Sequence, residues 1–119
     1  MNSSDVIVVG AGPTGLMLAC ELAMRGVAVT ILEERHDIPN ITRAFGVHAR
    51  TLELLDARGL ADDLVGRGLP VQQISPAPGV VLNLNQLASR YPMVLMAPQS
   101  LTERVLTEHA AKLGVEIRY

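Results

Sequence analysis

Three glycines within six residues, placed between two short β-branched runs, constrain this chain more than any other feature. The glycines belong to the stretch Gly10-Ala11-Gly12-Pro13-Thr14-Gly15. Val-Ile-Val-Val precedes it at 6–9, and the pattern that follows predicts a helix over 16–25 that ends at Gly26. A second β-branched run covers 27–32. This order predicts a βαβ unit with parallel strands, and the continuous apolar run is typical of a strand covered on both faces.

Each glycine of this stretch has a steric reason. Gly10 permits a tight turn out of the strand, Gly12 leaves room for a pyrophosphate near the backbone, and Gly15 lets the helix pack on the strand. The helix N-terminus adds free amides and a partial positive charge. Pro13 has no amide, so we expect Thr14 and its neighbours to supply the contacts. The pattern is the fingerprint of a dinucleotide site. Its candidate cofactor-binding residues are Gly10, Gly12, Pro13, Thr14 and Gly15.

An acidic residue stands where such a site needs one. Glu33 follows the second strand and lies 23 residues after Gly10, close to the spacing of a ribose-binding acid. A carboxylate there accepts from ribose hydroxyls and repels a 2′-phosphate. The ligand is therefore predicted to have an NAD-like or FAD-like adenosine half, and the fingerprint alone does not separate the two. The neighbouring Glu34 is expected to point the other way.

The rest of the chain predicts more helices and an extended excursion from the α/β layer. A loop, two helical segments, an antiparallel β region, a helix that begins with a capping box at Ser100 and Glu103, and a last strand follow in order. The loop covers 36–47, and the two helical segments cover 48–58 and 60–65. The β region covers 68–98, the capped helix 101–113 and the last strand 115–119. The predicted fold class is α/β, with a Rossmann-like portion at 1–67 and 99–119. Residues 68–98 would form a β excursion that begins a substrate domain.

Composition excludes several other classes of protein. The chain has 119 residues and a net charge of −2, so no basic field would attract nucleic acid. One cysteine excludes a disulfide framework and a Cys-rich zinc site, and it favours a reducing, cytoplasmic setting. The uncharged stretch 6–20 is interrupted by glycines and lacks a basic flank, so we expect neither a signal peptide nor a membrane span. No metal site is expected.

Three segments together resemble the class A FAD-dependent aromatic hydroxylases, and most closely those acting on phenols and aromatic polyketides. The segments are 5–33, 42–51 and 98–103. The resemblance implies FAD as cofactor, NAD(P)H as reductant and a small aromatic substrate. It also implies that Arg43 contacts the flavin cofactor and that Gln99 contacts its ribityl–pyrophosphate region. The family carries two further FAD signatures, an Asp-Gly and a Gly-Asp segment, that this chain lacks. The resemblance therefore predicts that this chain is a truncated N-terminal portion of such an enzyme, and no catalytic residue is expected in it.

Two alternatives remain open from the sequence. One is another FAD- or NAD-dependent oxidoreductase, such as a reductase with two dinucleotide sites. That class requires a second glycine fingerprint and usually a redox cysteine pair, and these residues contain neither. The other is a non-catalytic dinucleotide-binding remnant.

Overall fold

The computed structural model describes residues 3–38 and 44–119, which fall into two compact units. The first unit contains the N-terminal segment to residue 41 and the segment 102–119, and the second contains 42–101. The first unit begins with β1 (Val6–Val9), α1 (Pro13–Ala23) and β2 (Val29–Leu32). It ends with most of α4 (Gln99–Lys112) and with β8 (Glu116–Arg118).

A parallel sheet forms the centre of the first unit. Its strand order is β1-β2-β8, and Val8 pairs with Ile31, which pairs in turn with Ile117. Helix α1 begins at Pro13, three residues before the predicted start, because proline is favoured in a first helical turn. The helix ends before Gly26, whose φ of +80° is the left-handed conformation that glycine adopts readily. The predicted βαβ unit is therefore present, with β2 shorter than predicted.

One expectation for the first strand is wrong. Ile7 and Val9 are 61% and 83% exposed, while Val8 is buried, so β1 is covered on one face only among the described residues. Helix α1 packs on the face of Val8, whose side chain lies beside Gly15. Covering both faces of a parallel sheet needs a second layer of helices. The run of apolar residues is suited to a buried strand, but it does not determine whether helices cover both faces of the sheet.

The core of the first unit lies between the sheet and two helices. Leu16, Ala19 and Cys20 of α1 are buried, as are Val105 and Leu106 of α4. The thiol of Cys20 lies 3.9 Å from the carbonyl oxygen of Leu106, which places the two helices side by side. Burial, and secondarily the charge of Glu21, raise the pKa of this thiol. A thiol held neutral in this way is a poor nucleophile.

The second unit combines two helices with antiparallel strands. In chain order these are β3 (Gly46–His48), α2 (Ala49–Asp56), α3 (Ala61–Arg67), β4 (Leu69–Val71), β5 (Gln73–Ala77), β6 (Val80–Asn83) and β7 (Val94–Met96). A 3₁₀ turn, Leu84–Gln86, follows β6. One sheet has the order β3-β7-β4, and β5 and β6 form a hairpin, all antiparallel. Leu52 and Leu55 of α2 are buried.

Antiparallel pairing in this region was predicted, but its extent was not. Strand β3 covers the last two residues of the predicted loop over 36–47 and His48, which was predicted to begin a helix. Its partner β7 stands 46 to 50 residues further along the chain, pair by pair. Leu84 was predicted to be extended and lies in the 3₁₀ turn. Helix α4 begins at Gln99, so Ser100 stands within its first turn and not at the predicted N-cap. The start of a substrate domain at 68–98 remains a prediction.

Candidate functional site

The glycine-rich turn joins the carboxyl end of β1 to the N-terminus of α1. Gly10 has a φ of +100°, which an L side chain rarely adopts, and its amide donates to the carbonyl of Leu32 at 2.7 Å. Gly12 caps the helix with ordinary extended angles. The turn is therefore bonded to the end of the neighbouring strand, and it leads directly into the helix.

The three glycines meet different surroundings. A Cβ built at Gly15 would stand 2.0 Å from the carbonyl oxygen of Gly10, which is backbone and has no side chain that could yield. A Cβ at Gly10 or at Gly12 would meet no described atom within 4 Å. Gly15 thus serves the packing of α1 against the strand, whereas Gly12 borders open space. The close approach at Gly15 is the packing expected from the sequence, whereas a pyrophosphate near Gly12 stays a prediction.

The N-terminus of α1 presents backbone donors toward that open space. The amide of Leu16 donates to the carbonyl of Gly12 at 2.9 Å, and this is the first bond of the helix. The amides of Thr14 and Gly15 precede it and have no carbonyl within the helix to accept them. The first turn carries no acidic side chain that would oppose a bound anion. This arrangement can hold a phosphate group by backbone donors and the helix dipole.

Glu33 lies directly after β2 and is connected to the turn. Its side chain is 6% exposed, and Oε2 accepts from the amide of Ala11 at 2.7 Å. Arg35 supplies three more donors: its amide at 2.9 Å and Nε at 3.1 Å to Oε1, and Nη2 at 3.0 Å to Oε2. Glu34, by contrast, is exposed. The two adjacent carboxylates therefore have different environments, as the sequence predicted.

These donors act on the ionisation of Glu33. The side chain of Arg35 contributes most, its amide next, and the amide of Ala11 less, and against the effect of burial they lower the pKa of Glu33 from 4.5 to about 2. The carboxylate is therefore charged at any physiological pH. A charged, buried acceptor beside a glycine-rich turn is the type of group that accepts from ribose hydroxyls in dinucleotide-binding folds.

A small open pocket lies beside this carboxylate within the first unit. Ala11 and Glu33 form one side of it, and Glu103 of α4, which is 2% exposed, lies on another. The residues lining the pocket are Ala11, Glu33, Arg35, Asp37, Ile38, Glu103, Thr107 and Tyr119. Of these residues, only Glu33 was predicted from the sequence as a site residue. The missed residue with the most contacts to that carboxylate is Arg35, and its position two residues after the acid was the available signal.

Two predicted site residues are not among the residues that form this geometry. Arg43 is outside the described residues, so its contact with the flavin cofactor stays a prediction. Gln99 is half-buried as the first residue of α4 and belongs to the second unit. Its backbone amide donates to the carbonyl of Ala44 at 3.0 Å, which connects the start of α4 to the segment before β3. Its contact with a ribityl–pyrophosphate group also stays a prediction.

We expect the Glu33 contacts to make folding depend on pH. A carboxylate whose pKa is lower in the folded state stabilises the protein above its unfolded pKa of about 4.5, and this contribution is lost as the pH falls toward 2. Because Arg35 is partly exposed to solvent, we expect the contribution of Glu33 to the free energy of unfolding to be about 2 kcal/mol. Glu33→Gln should therefore lower the free energy of unfolding by that amount at pH 7 in urea titrations. The deficit should shrink toward pH 2.5.

Glu34→Gln is the control for this pH experiment, because Glu34 is adjacent and exposed. Its effect on the free energy of unfolding should stay within about 0.5 kcal/mol, as is usual for surface positions. A Glu33→Gln deficit that stays constant from pH 7 to pH 2.5 would show that the bonds of the ionised carboxylate do not stabilise the fold.

The fold and the site define an α/β domain with the glycine-rich turn and the following acid that are typical of a dinucleotide-binding fold. A family model described as FAD binding domain matches residues 3–119, and the chain belongs to that family. The described segments contain no helix long and apolar enough to cross a membrane. They also contain no group of three potential metal-ligating side chains.

Several monooxygenases and hydroxylases are similar to this chain. A 12-dehydrotetracycline 5-monooxygenase/anhydrotetracycline 6-monooxygenase from Streptomyces rimosus is 44% identical over 96% of the chain and 23% of its own length. A rifampicin monooxygenase from Streptomyces venezuelae is also 44% identical, over 96% of the chain and 24% of its own length. The solved structure of an anhydrotetracycline hydroxylase from Streptomyces rimosus superposes with a TM-score of 0.89 at 43% identity, covering 97% and 24%. The chain thus spans about a quarter of the length of these relatives. The resemblance stated from the sequence is confirmed.

Proposed function

We propose that this chain holds the adenosine diphosphate half of FAD in an NAD(P)H-dependent monooxygenase that hydroxylates a small aromatic substrate. The carrying observation is the link between the two predicted contact points. The Glu33 carboxylate accepts from the Ala11 amide at 2.7 Å, so the ribose acceptor and the phosphate-binding turn are held at a fixed separation. A rigid pair of this kind recognises a ribose joined to a phosphate better than either group alone.

The residues of the chain would bind and orient the cofactor. The amides at the start of α1 would receive the pyrophosphate, and Glu33 would accept from the adenosine ribose, with Gln99 and Arg43 as further proposed contacts. When bound, FAD supplies the redox chemistry, accepting a hydride from NAD(P)H and activating oxygen. This division of roles explains why none of the described residues has to act as a nucleophile or a general base. The reducing, NAD(P)H-rich cytoplasm is the proposed location.

The proposed substrate is a fused-ring aromatic compound. This proposal is supported by the names of the similar enzymes, which act on tetracycline precursors and on rifampicin. The test uses the purified full-length protein, anhydrotetracycline as the probe substrate, and NADH and NADPH in separate reactions. We expect substrate-stimulated NAD(P)H oxidation and a product that is 16 mass units heavier. Flavin binding without NAD(P)H oxidation would favour the non-catalytic remnant. NAD(P)H oxidation with no oxygen transfer to any aromatic compound would favour a different oxidoreductase.

Glu33 and its neighbour give a direct test of the cofactor site. Glu33→Ala should weaken FAD binding by about 1–3 kcal/mol, which is the range for a hydrogen bond to a charged group. Glu34→Ala is the matched control, because it removes the same group from an exposed adjacent position. FAD titration by flavin fluorescence measures both variants. Equal losses for the two would contradict the assignment of Glu33 to the ribose.

A further inference from the structure

The carboxylate assigned to the ribose already has a full set of donors. Its two oxygens accept from the amides of Ala11 and Arg35 and from Nε and Nη2 of the Arg35 guanidinium, at 2.7–3.1 Å. A carboxylate has about four acceptor positions, so all are used. A ribose hydroxyl cannot donate to Glu33 in this arrangement unless one of these donors leaves.

The four donors differ in how easily they can leave. The two amides belong to the backbone of the glycine-rich turn and of the segment after β2, and neither can withdraw without moving the main chain. The guanidinium stands at the end of a flexible side chain that is 38% exposed. It offers two N–H groups, the same number of donors as the 2′- and 3′-hydroxyls of a ribose.

We propose that the Arg35 guanidinium takes the place of the ribose hydroxyls in the cofactor-free protein and leaves Glu33 when the adenosine ribose binds. The inference rests on the proposed function, since it assumes the ribose at Glu33. It adds that Arg35 competes with the cofactor and sets how strongly the ribose contributes to binding.

The surroundings explain why such an exchange is possible in both directions. Without the guanidinium, a carboxylate that is 6% exposed would keep only two donors, and a buried charge with too few donors is costly. After the exchange, the ribose hydroxyls restore four donors. The displaced guanidinium stays near negative charge, because Asp37 and Glu103 line the same pocket. The charges of Glu103 and Glu34 already act on Arg35 in the present arrangement, secondary to its bonds with Glu33.

The experiment measures how much the ribose hydroxyls contribute to binding, with and without Arg35. The full-length apoprotein is titrated calorimetrically with ADP and with 2′,3′-dideoxy-ADP, which lacks both hydroxyls. The ratio of the two dissociation constants isolates the hydroxyls, because any effect of Arg35 on the diphosphate cancels. In Arg35→Met we expect this preference for ADP to rise roughly three- to tenfold over wild type, the range for one or two exchanged hydrogen bonds.

Arg118→Met is the matched control. Arg118 forms the same kind of fork with an acid two residues away, Glu116, at 2.8 and 3.0 Å, but it does not line the pocket. Its variant should keep the wild-type preference for ADP. An Arg35→Met preference that is unchanged or smaller than that of wild type would overturn the proposal, since Arg35 would then be indifferent to the ribose or would assist it.

A second measurement needs no variant that could misfold. In ¹⁵N spectra of the wild-type apoprotein, the Arg35 Nε–H should exchange slowly with water, because it donates to the buried Glu33. Saturating ADP should speed this exchange, and dideoxy-ADP should not. A signal that stays protected with ADP bound would overturn the proposal. If instead Glu33→Gln leaves the preference for ADP over dideoxy-ADP unchanged, the ribose assignment itself is wrong, and the proposed function loses its carrying observation.

Discussion

Gly12→Val in the full-length protein is expected to abolish FAD retention and leave the fold intact. The position has ordinary backbone angles, with φ −75° and ψ 177°, and a Cβ there would meet no described atom within 4 Å. The fold therefore has room for a side chain. Gly12 is the N-cap of α1 and directly precedes its first amides, so we expect the branched side chain to interfere with the proposed pyrophosphate contact. We expect FAD affinity to fall roughly 100-fold or more, about 3 kcal/mol.

The control for this variant is a valine at an equally open glycine in the other unit. Gly66 in α3 is such a position, with no described atom within 4 Å of a built Cβ. Gly66→Val should retain flavin, and both variants should melt within a few degrees of wild type. The ratio of flavin to protein absorbance after purification gives the result. A Gly12→Val protein with normal flavin content would refute the proposed phosphate site.

Gly15→Ala is expected to have the opposite outcome, a less stable fold with no proposed binding contact removed. The added methyl group would stand 2.0 Å from the carbonyl oxygen of Gly10 and 3.2 Å from its carbon. Relief requires α1 or the turn to move, and overpacking of this kind costs about 3 kcal/mol or more. The intrinsic helix preference for alanine over glycine is worth only about 1 kcal/mol in the other direction. The steric cost decides the sign.

Gly12→Ala is the matched control, since it adds the same methyl group to the same turn where space is open. Gly15→Ala should lower the melting temperature by roughly 10 °C, whereas Gly12→Ala should lower it by less than about 3 °C. Thermal unfolding followed by circular dichroism measures both. A Gly15→Ala protein as stable as wild type would mean that the close packing of α1 on the strand does not stabilise this fold.

The βαβ unit, its glycine-rich turn and the acid after β2 could all be predicted from the sequence. They are local features: β-branched runs favour strands, glycine permits φ values such as the +100° of Gly10, and a fixed spacing places Glu33 beside the turn. The capping box misplaced the start of α4 by two residues, since the predicted start is residue 101 and the helix begins at Gln99. Element boundaries depend on the competing bonds of neighbouring residues, which a short motif does not include.

Only the tertiary structure decided which faces are covered and which charges meet. Strand β3 exists because β7 pairs with it from 46 to 50 residues away, and no local pattern specifies such a partner. Ile7 and Val9 are exposed because no described helix covers their side of the sheet. Glu33 was recognisable as an acid at the right spacing. Its burial and its fork with Arg35 depend on how the chain turns after β2. Local sterics act within a few residues and can be read from the sequence, whereas burial and charge pairing are set by the distances between segments in the folded chain.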